Sequence, residues 1–460
     1  MVAKWGMETQ LLRDTLEDLE RNLLERDVPV RLLLLAALAG EHVLLVGPPG
    51  TAKSELARRL HGAFVDAPYF ERLLTRFSVP EELFGPLSLK ALEQDRYERL
   101  IDGFLPTAQV AFLDEVFKAN SAILNALLTL LNEREFDNGA GRTKVPLVTV
   151  VGATNDVPDD ESLLAFYDRF LLRVPVQPVA DASFVALLAL PAQASVQRPR
   201  LRAAELQPLR LRAQQVILPT AITNWLVQAR AWCAQQQVMV SDRRWRKLVG
   251  LLQVQAVSRG AEQVGAWDLW LLPYALGVRS EQVQALVQWF DETVCQARPL
   301  DLQWLARAAQ AFEKQLEAET TAFADGEADA AGKIALARAI SRDAAQHDNA
   351  MLRIVSDRAR RRYSRLHVDA RVAQVQQIEQ SCSAALQLAR KIAAAAMDGA
   401  AGHPWLPPSV VQRIARVLEV NVAKAKALHD ALEALAQGFA ELPIDAAMED
   451  ITPEPLVWAS

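Results

Sequence analysis

The sequence predicts an α/β fold, a parallel sheet covered by helices, joined to an all-helical second half. Three observations carry that reading. Up to about Pro178, apolar runs of strand length alternate with stretches of helical periodicity. One strand runs straight into a Gly/Pro-rich loop and then into a helix, the order a phosphate-binding loop needs. From Thr220 onward the apolar spacing is helical.

Taken in order, the strands are HVLLV (His42 to Val46), YFERLL (Tyr69 to Leu74), VAFLD (Val110 to Asp114), PLVTVVGAT (Pro146 to Thr154) and FLLRVPV (Phe170 to Val176). FDNGAGRTK carries Asn-Gly and Gly-Arg turn chemistry between extended flanks, which predicts a hairpin between Glu135 and Val145. Residues Pro191 to Pro219, rich in Pro, Gln and Arg, read as a connection. The helical stretch from Thr220 to about Phe290 contains Trp225, Trp232, Trp245, Trp267, Trp270 and Trp289, which read as core rather than as ligand platforms. Beyond Arg298 the chain turns Ala-rich. ADGEADAAGK (Ala324 to Lys333) reads as a break, AAGHPWLPP (Ala400 to Pro408) as a helix stop, and Ser409 to about Leu442 as a last helix. The domain boundaries expected are 1–190, 191–297 and 298–460.

Composition narrows the function classes. At 460 residues the chain is too long for one core. No apolar run approaches the ~20 residues of a membrane span, and MVAKWGMETQ lacks the apolar centre of a signal peptide, which points to the cytoplasm. Cys233, Cys295 and Cys382 are too scattered for a disulfide framework or a metal site, and the 6 His form no ligand pair. A net charge of −6 argues against a dedicated nucleic-acid binder.

The chemistry is concentrated in four short stretches. In GPPGTAKS the residues Gly47, Pro48, Pro49, Gly50, Thr51, Ala52, Lys53 and Ser54 form the loop itself. Lys53 is expected to reach the β/γ-phosphates and Ser54 to ligate Mg²⁺. The usual pattern has glycine where Ala52 stands; read as a residue already inside the helix entrance, Ala52 can carry its methyl group. The strand VAFLDEV delivers Asp114 and Glu115 to its carboxyl end, where open α/β sheets bind ligands. Asp114 would support the metal and Glu115 would polarise the attacking water. After the next strand, Asn155 in GATND can position the same water. In FYDRF, Arg169 suits a neighbouring subunit's γ-phosphate, the alternative being a salt bridge to Asp168.

GPPGTAKS, VAFLDEV, GATN and FYDRF, in that order, resemble an AAA+ ATPase of the MoxR family. The likeness extends to TRFSVPEELFGPLS, ILNALLTLLNERE and VSDRRW, is nearest the RavA branch, and covers about residues 10 to 290. It implies a sheet ordered 5-1-4-3-2, an all-helical lid, ATP and Mg²⁺ as ligands, and a ring homo-oligomer, a hexamer, with sites between subunits. It also implies that Arg243 in SDRR, or its neighbour Arg244, is the lid's sensor arginine. Phe77 to Ile101 resembles the clade's helix-interrupting insertion and the hairpin near Asn138 its pre-sensor hairpin, both facing the pore or a partner. Arg134 in NERE reads as a solvated or capping residue. Two further partners are implied, a von Willebrand factor A domain protein and a protein client. After about Arg298 the resemblance does not carry over, since no block of strands stands there.

Three functions compete at this stage. The first is a remodelling motor, the second an ATP-gated assembly scaffold, the third a nucleic-acid motor, which the acidic balance disfavours. In the tail, DRARRRYSR (Asp357 to Arg365) reads as a solvated basic face rather than a phosphate-binding one.

Overall fold

HVLLV and VAFLD are continuous apolar runs apart from His42 at the start of one and Asp114 at the end of the other, so neither alternates toward a solvent face, as befits strands sandwiched between two helical layers. Four of the five residues in each are buried. A computed structural model describes residues 2–139, 141–158, 161–191, 200–295, 302–322 and 361–456. It begins with α1 (Val2–Glu20) and α2 (Asp27–Ala39), followed by β1 (His42–Val46), α3 (Lys53–Gly62) and β2 (Tyr69–Leu73). Two short helices, α4 (Pro80–Phe84) and α5 (Leu89–Leu92), precede β3 (Val110–Asp114) and α6 (Ser121–Glu133). The hairpin β4 (Glu135–Asn138) and β5 (Gly141–Lys144) leads to β6 (Thr149–Thr154), α7 (Glu161–Tyr167) and β7 (Phe170–Pro175).

The main sheet is parallel and ordered β2-β3-β6-β1-β7. Setting the hairpin aside, this is the 5-1-4-3-2 order expected. The central position of β1 puts the end of that strand, Val46, between the ends of β6 and β7, with Val46 beside Thr154 and Pro175. α2 is buried from Pro29 to Leu38, which explains a helix that is apolar all round without spanning a membrane. No helix among the described residues is long and apolar enough to cross one.

The helical lid follows through α8 (Asp181–Leu188), α9 (Ala203–Ala213), α10 (Thr220–Gln235), α11 (Asp242–Ser258), α12 (Leu272–Leu276) and α13 (Ser280–Phe290). α9 corrects the reading of 191–219 as a connection. It carries Pro208 in its interior, the residue that argues most strongly against a helix from sequence, yet Leu206 and Ala213 are buried. Of the lid tryptophans, Trp270 and Trp289 are buried and the other four half-buried.

The chain divides into two compact units. The first comprises Met1–Cys295 together with Asp398–Ile414, the second Gln296–Met397 with Ala415–Ser460. In the second, α14 (Gln303–Thr321), α15 (Arg365–Ala401) and α16 (Pro408–Ala440) supply a core that includes Leu305, Phe312, Val375, Leu432 and Phe439. Among the described residues of this unit there is no strand. Ala324 to Lys333 lies outside the described residues, as do residues 357–360 of the basic stretch from Asp357 to Arg365.

Candidate nucleotide site

β1 ends where the phosphate loop must begin, and the first loop residue has no room for a side chain. A Cβ on Gly47 would fall 2.0 Å from the Val176 carbonyl oxygen. Gly50 turns the chain at φ +79°. Ala52 departs from the sequence reading: it is not inside the helix but in the left-handed region at φ +68°, immediately before α3. The conformation costs an L-residue about 1 kcal/mol. Its physical reason is the loop's shape, since left-handed residues beside right-handed ones turn successive N–H groups into one concave, anion-binding surface.

Three polar side chains join at the carboxyl edge of the sheet. Lys53 is only 8% exposed; its ammonium donates to the carbonyls of Gly47 (2.5 Å) and Pro48 (2.9 Å) and lies 3.4 Å from Asn155 Oδ1. Burial lowers its pKa, while Asp114 and Glu115 pull the other way. Asn155 Nδ2 donates to Glu115 Oε1 at 2.7 Å. Glu115 leaves β3 at φ +52°, which swings its carboxylate out of the strand direction toward Asn155, and Lys118 Nζ stands 3.4 Å from it. Asp114 ends β3, and its Oδ1 accepts the Glu115 N–H at 3.0 Å. Ser54 follows in the first turn of α3. A hydroxyl and a carboxylate as donors suit a hard, oxygen-seeking cation such as Mg²⁺.

Beside the loop lies a cavity of about 380 Å³ that the sequence did not disclose. Its walls include Arg26 and Asp27 at the start of α2, Gln177 after β7, Tyr274 and Val283 from the lid, and Ser409 from the segment that returns to this unit. Arg26 connects the cavity to the phosphate loop: its Nε donates to Thr51 O (3.3 Å) and its Nη2 to Gln177 O (2.7 Å). Burial pushes the Tyr274 hydroxyl up to about 12, so it is neutral. The size, the apolar and aromatic walls and the place beside a phosphate loop suit a nucleobase and ribose. These residues lie in separate segments without a shared spacing; a buried arginine before α2 was the one available signal.

Arg169 and Arg243 lie elsewhere. Arg169 directly precedes β7, and β7 starts level with His42, the first residue of β1. Arg243 Nη2 bonds Asn132 Oδ1 at 2.9 Å, in the last turn of α6, and its charge reaches His42. Both therefore stand at the amino edge of the sheet, one strand length, about 15 Å, from the loop that follows Val46. Asp168 does not pair with Arg169. Its carboxylate takes Arg244 Nε at 3.0 Å and Arg173 at 3.6 Å. Arg169 Nε is buried and has no hydrogen-bond partner among the described residues, and its pKa is lowered by burial and then by Arg243.

Arg244 is fully engaged inside the fold. It is 3% exposed and donates to the carbonyls of Leu171 and Ala275 (both 2.7 Å) and Phe170 (2.8 Å), fastening α11 to β7. Ser241 caps α11 by accepting the Arg244 N–H. Arg134 is a capping residue, as expected, though not a solvated one: it donates to Leu147 O and Gly40 O, and burial brings its pKa down to about 10.

Comparison with known proteins agrees with this geometry. Residues 10–215 match the family model described as the MoxR domain in the MoxR-vWA-beta-propeller ternary systems, and residues 221–290 match an AAA lid domain. A Methanocaldococcus jannaschii protein of uncharacterised function is 40% identical over 257 residues, 56% of this chain and 67% of that one. The chaperone MoxR1 of Mycobacterium tuberculosis is 27% identical over 173 residues, 37% of this chain and 45% of that one. A solved structure of a candidate ATPase from Cytophaga hutchinsonii superposes with a TM-score of 0.50 at 15% identity, covering 64% of this chain and 96% of that one, which is a likeness of fold.

Proposed function

Because the chain belongs to the MoxR family of AAA+ ATPases, we propose that it hydrolyses ATP at sites completed between the subunits of a ring, and uses the cycle to remodel a protein client. One observation carries the reading. The groups suited to hold phosphate and activate water stand at one edge of the sheet, and an arginine whose buried Nε has no hydrogen-bond partner among the described residues stands at the other.

Within one subunit, the loop amides and Lys53 bind the β/γ-phosphates, and Lys53 must leave the carbonyls of Gly47 and Pro48 to do so. Glu115, oriented by Asn155, takes a proton from the attacking water. Mg²⁺ on Ser54 and Asp114 would neutralise charge on the phosphate oxygens. Arg169 cannot reach its own subunit's phosphates across the sheet, so its guanidinium serves the neighbour's, with Arg243 beside it as the sensor. Arg243 is preferred to Arg244 because Arg244 already commits its guanidinium to three backbone carbonyls of its own fold.

The client side is read from surfaces. The insertion exposes Phe77, Leu89 and Leu100 and is bound to the hairpin, because Asn138 Oδ1 accepts the Arg99 N–H at 2.7 Å. Together they offer one joined, partly apolar surface suited to a client or to a von Willebrand factor A domain partner, which the matched family's description also names. The hexameric ring and cytoplasmic residence belong to the same proposal. So does the RavA-like branch, which partner recovery tests: co-purification of a β-propeller protein together with the von Willebrand factor A protein would favour the ternary-system type instead. The scaffold alternative differs in needing ATP binding alone, and full cellular function of Glu115→Gln would select it.

The deciding experiment is ATPase turnover per subunit against protein concentration, for the wild type and Arg169→Ala. A rate that rises with concentration in the wild type and stays low in the variant, with ATP binding preserved, supports the ring motor. A concentration-independent rate that the variant leaves unchanged rejects it.

A further inference from the structure

Residues 398–414 comprise the end of α15, the turn 402–407 and the start of α16; both helices continue into the second unit, yet this turn segment belongs to the first. Its sequence, DGAAGHPWLPPSVVQRI, reads as a helix stop, but its side chains are those of a docked segment. Trp405 is fully buried and its Nε1 donates to Ser258 Oγ at 2.8 Å, at the end of α11. His403 Nε2 lies 3.0 Å from Asp268 Oδ1, a buried lid carboxylate that also holds Arg259. Arg413 Nε bonds Asp291 at 3.0 Å, beyond α13. These three contacts are with the lid.

The same turn also holds the core. Arg31 on α2, itself held by Glu20, donates to the carbonyls of Pro404 (2.6 Å) and Leu406 (3.1 Å). One turn earlier on α2, Asp27 Oδ2 accepts the Ser409 N–H at 2.8 Å. Asp27 and Ser409 both line the cavity next to the phosphate loop. The segment therefore touches the two bodies whose relative position a nucleotide between them must fix, and supplies part of the wall that the nucleotide meets.

We propose that the 398–414 turn is a nucleotide-responsive coupler. Ser409 completes the base side of the site, and the turn's hold on α2 and on the lid makes site occupancy and the state of the C-terminal helices bias one another. A ligand shifts an equilibrium only through contacts that differ between its states, and Ser409 with Asp27 provides such a contact. The coupling is reciprocal: a partner that binds the C-terminal helices and disturbs the turn weakens nucleotide binding by the factor by which nucleotide weakens the partner. The inference rests on the cavity being the nucleotide site.

The test is amide hydrogen exchange on the full chain with and without saturating ADP, paired with titration of a fluorescent ADP into the wild type and Ser409→Pro. Pro408 already opens α16, and a proline at the next position removes the N–H given to Asp27 without removing a bond inside the helix. ADP is expected to slow exchange across 400–413 as well as across 47–54, and the variant to bind ADP roughly tenfold more weakly, within the usual range of coupling between sites. Protection of 47–54 with no change across 400–413 overturns the coupler and leaves the ATPase reading standing. No ADP binding in the wild type overturns both. Should Ser409→Pro fail to fold, the wild-type exchange pattern still decides.

Discussion

The two edges of the sheet are built on opposite terms. At the carboxyl edge the proposed phosphate- and water-handling side chains already have partners in their own subunit: Lys53 rests on the loop carbonyls and Asn155 bonds Glu115. At the amino edge Arg173 and Arg244 share Asp168, and Arg169 is left with a buried Nε and no partner among the described residues. A polar group buried without a partner is costly, on the order of 1–3 kcal/mol, and such a cost persists where a partner is supplied from elsewhere. On the proposed reading, the difference means that one subunit carries two half-sites, facing apart.

The largest expected effect would break the comparison outright. Arg169→Ala should lower turnover per subunit roughly 10³-fold or more, as loss of an arginine finger does, and Glu115→Gln should lower it by about 10²–10⁴ as loss of a general base. Mixed together, the two dead variants should recover activity, because one supplies the base and the other the finger at shared interfaces. A mixture no more active than its components would place both residues in the same site and refute the half-site division.

Next in size is the contrast between adjacent arginines. Arg244→Ala leaves Asp168 with Arg173 as its remaining arginine and takes a donor from three backbone carbonyls; with the Asp168 side chain 31% exposed the loss falls below that of a fully buried pair, at about 2–3 kcal/mol. Arg243→Ala removes an exposed bond to Asn132 and should change stability by no more than about 0.5 kcal/mol. Urea unfolding followed by circular dichroism separates them. Equal losses of stability would mean that both arginines are structural, which would leave Arg169 without Arg243 as its companion at the amino edge.

A smaller effect sharpens the carboxyl edge. Arg26→Leu cuts the link between the base cavity and Thr51 O, and should weaken ADP binding by roughly tenfold, the size of one charge-assisted hydrogen bond. An unchanged affinity would detach the cavity from the nucleotide.

What the sequence disclosed follows the same division. The carboxyl edge was legible because its chemistry is local: a glycine-rich loop after HVLLV, two acids ending VAFLD and an asparagine after the next strand each sit within a few residues of a strand end. The sheet order came with the resemblance that these motifs carry. The cavity was not legible, because Arg26, Gln177, Tyr274 and Ser409 meet only through the fold. Nor was the docking of the turn. HPWLPP reads as punctuation between helices, although a tryptophan in a turn is a large apolar group that has to be covered by something. α9 was hidden by Pro208, whose penalty the burial of Leu206 and Ala213 offsets.

The smallest prediction concerns Ala52, where the sequence raised a question and the backbone answers it differently. A methyl group at φ +68° carries strain that glycine would not, yet glycine also enlarges the freedom the unfolded chain must lose. The first term is about 1 kcal/mol and the second is of similar or smaller size, so Ala52→Gly should raise stability to urea by at most about 1 kcal/mol. Turnover should stay within about twofold, because the concave row of N–H groups is set by backbone angles that glycine adopts as readily. If turnover instead falls tenfold with stability unchanged, the methyl group is what holds the loop in its binding shape. The self-sufficiency of the carboxyl edge would then rest on a residue that resists relaxing, rather than on the bonds among Lys53, Asn155 and Glu115.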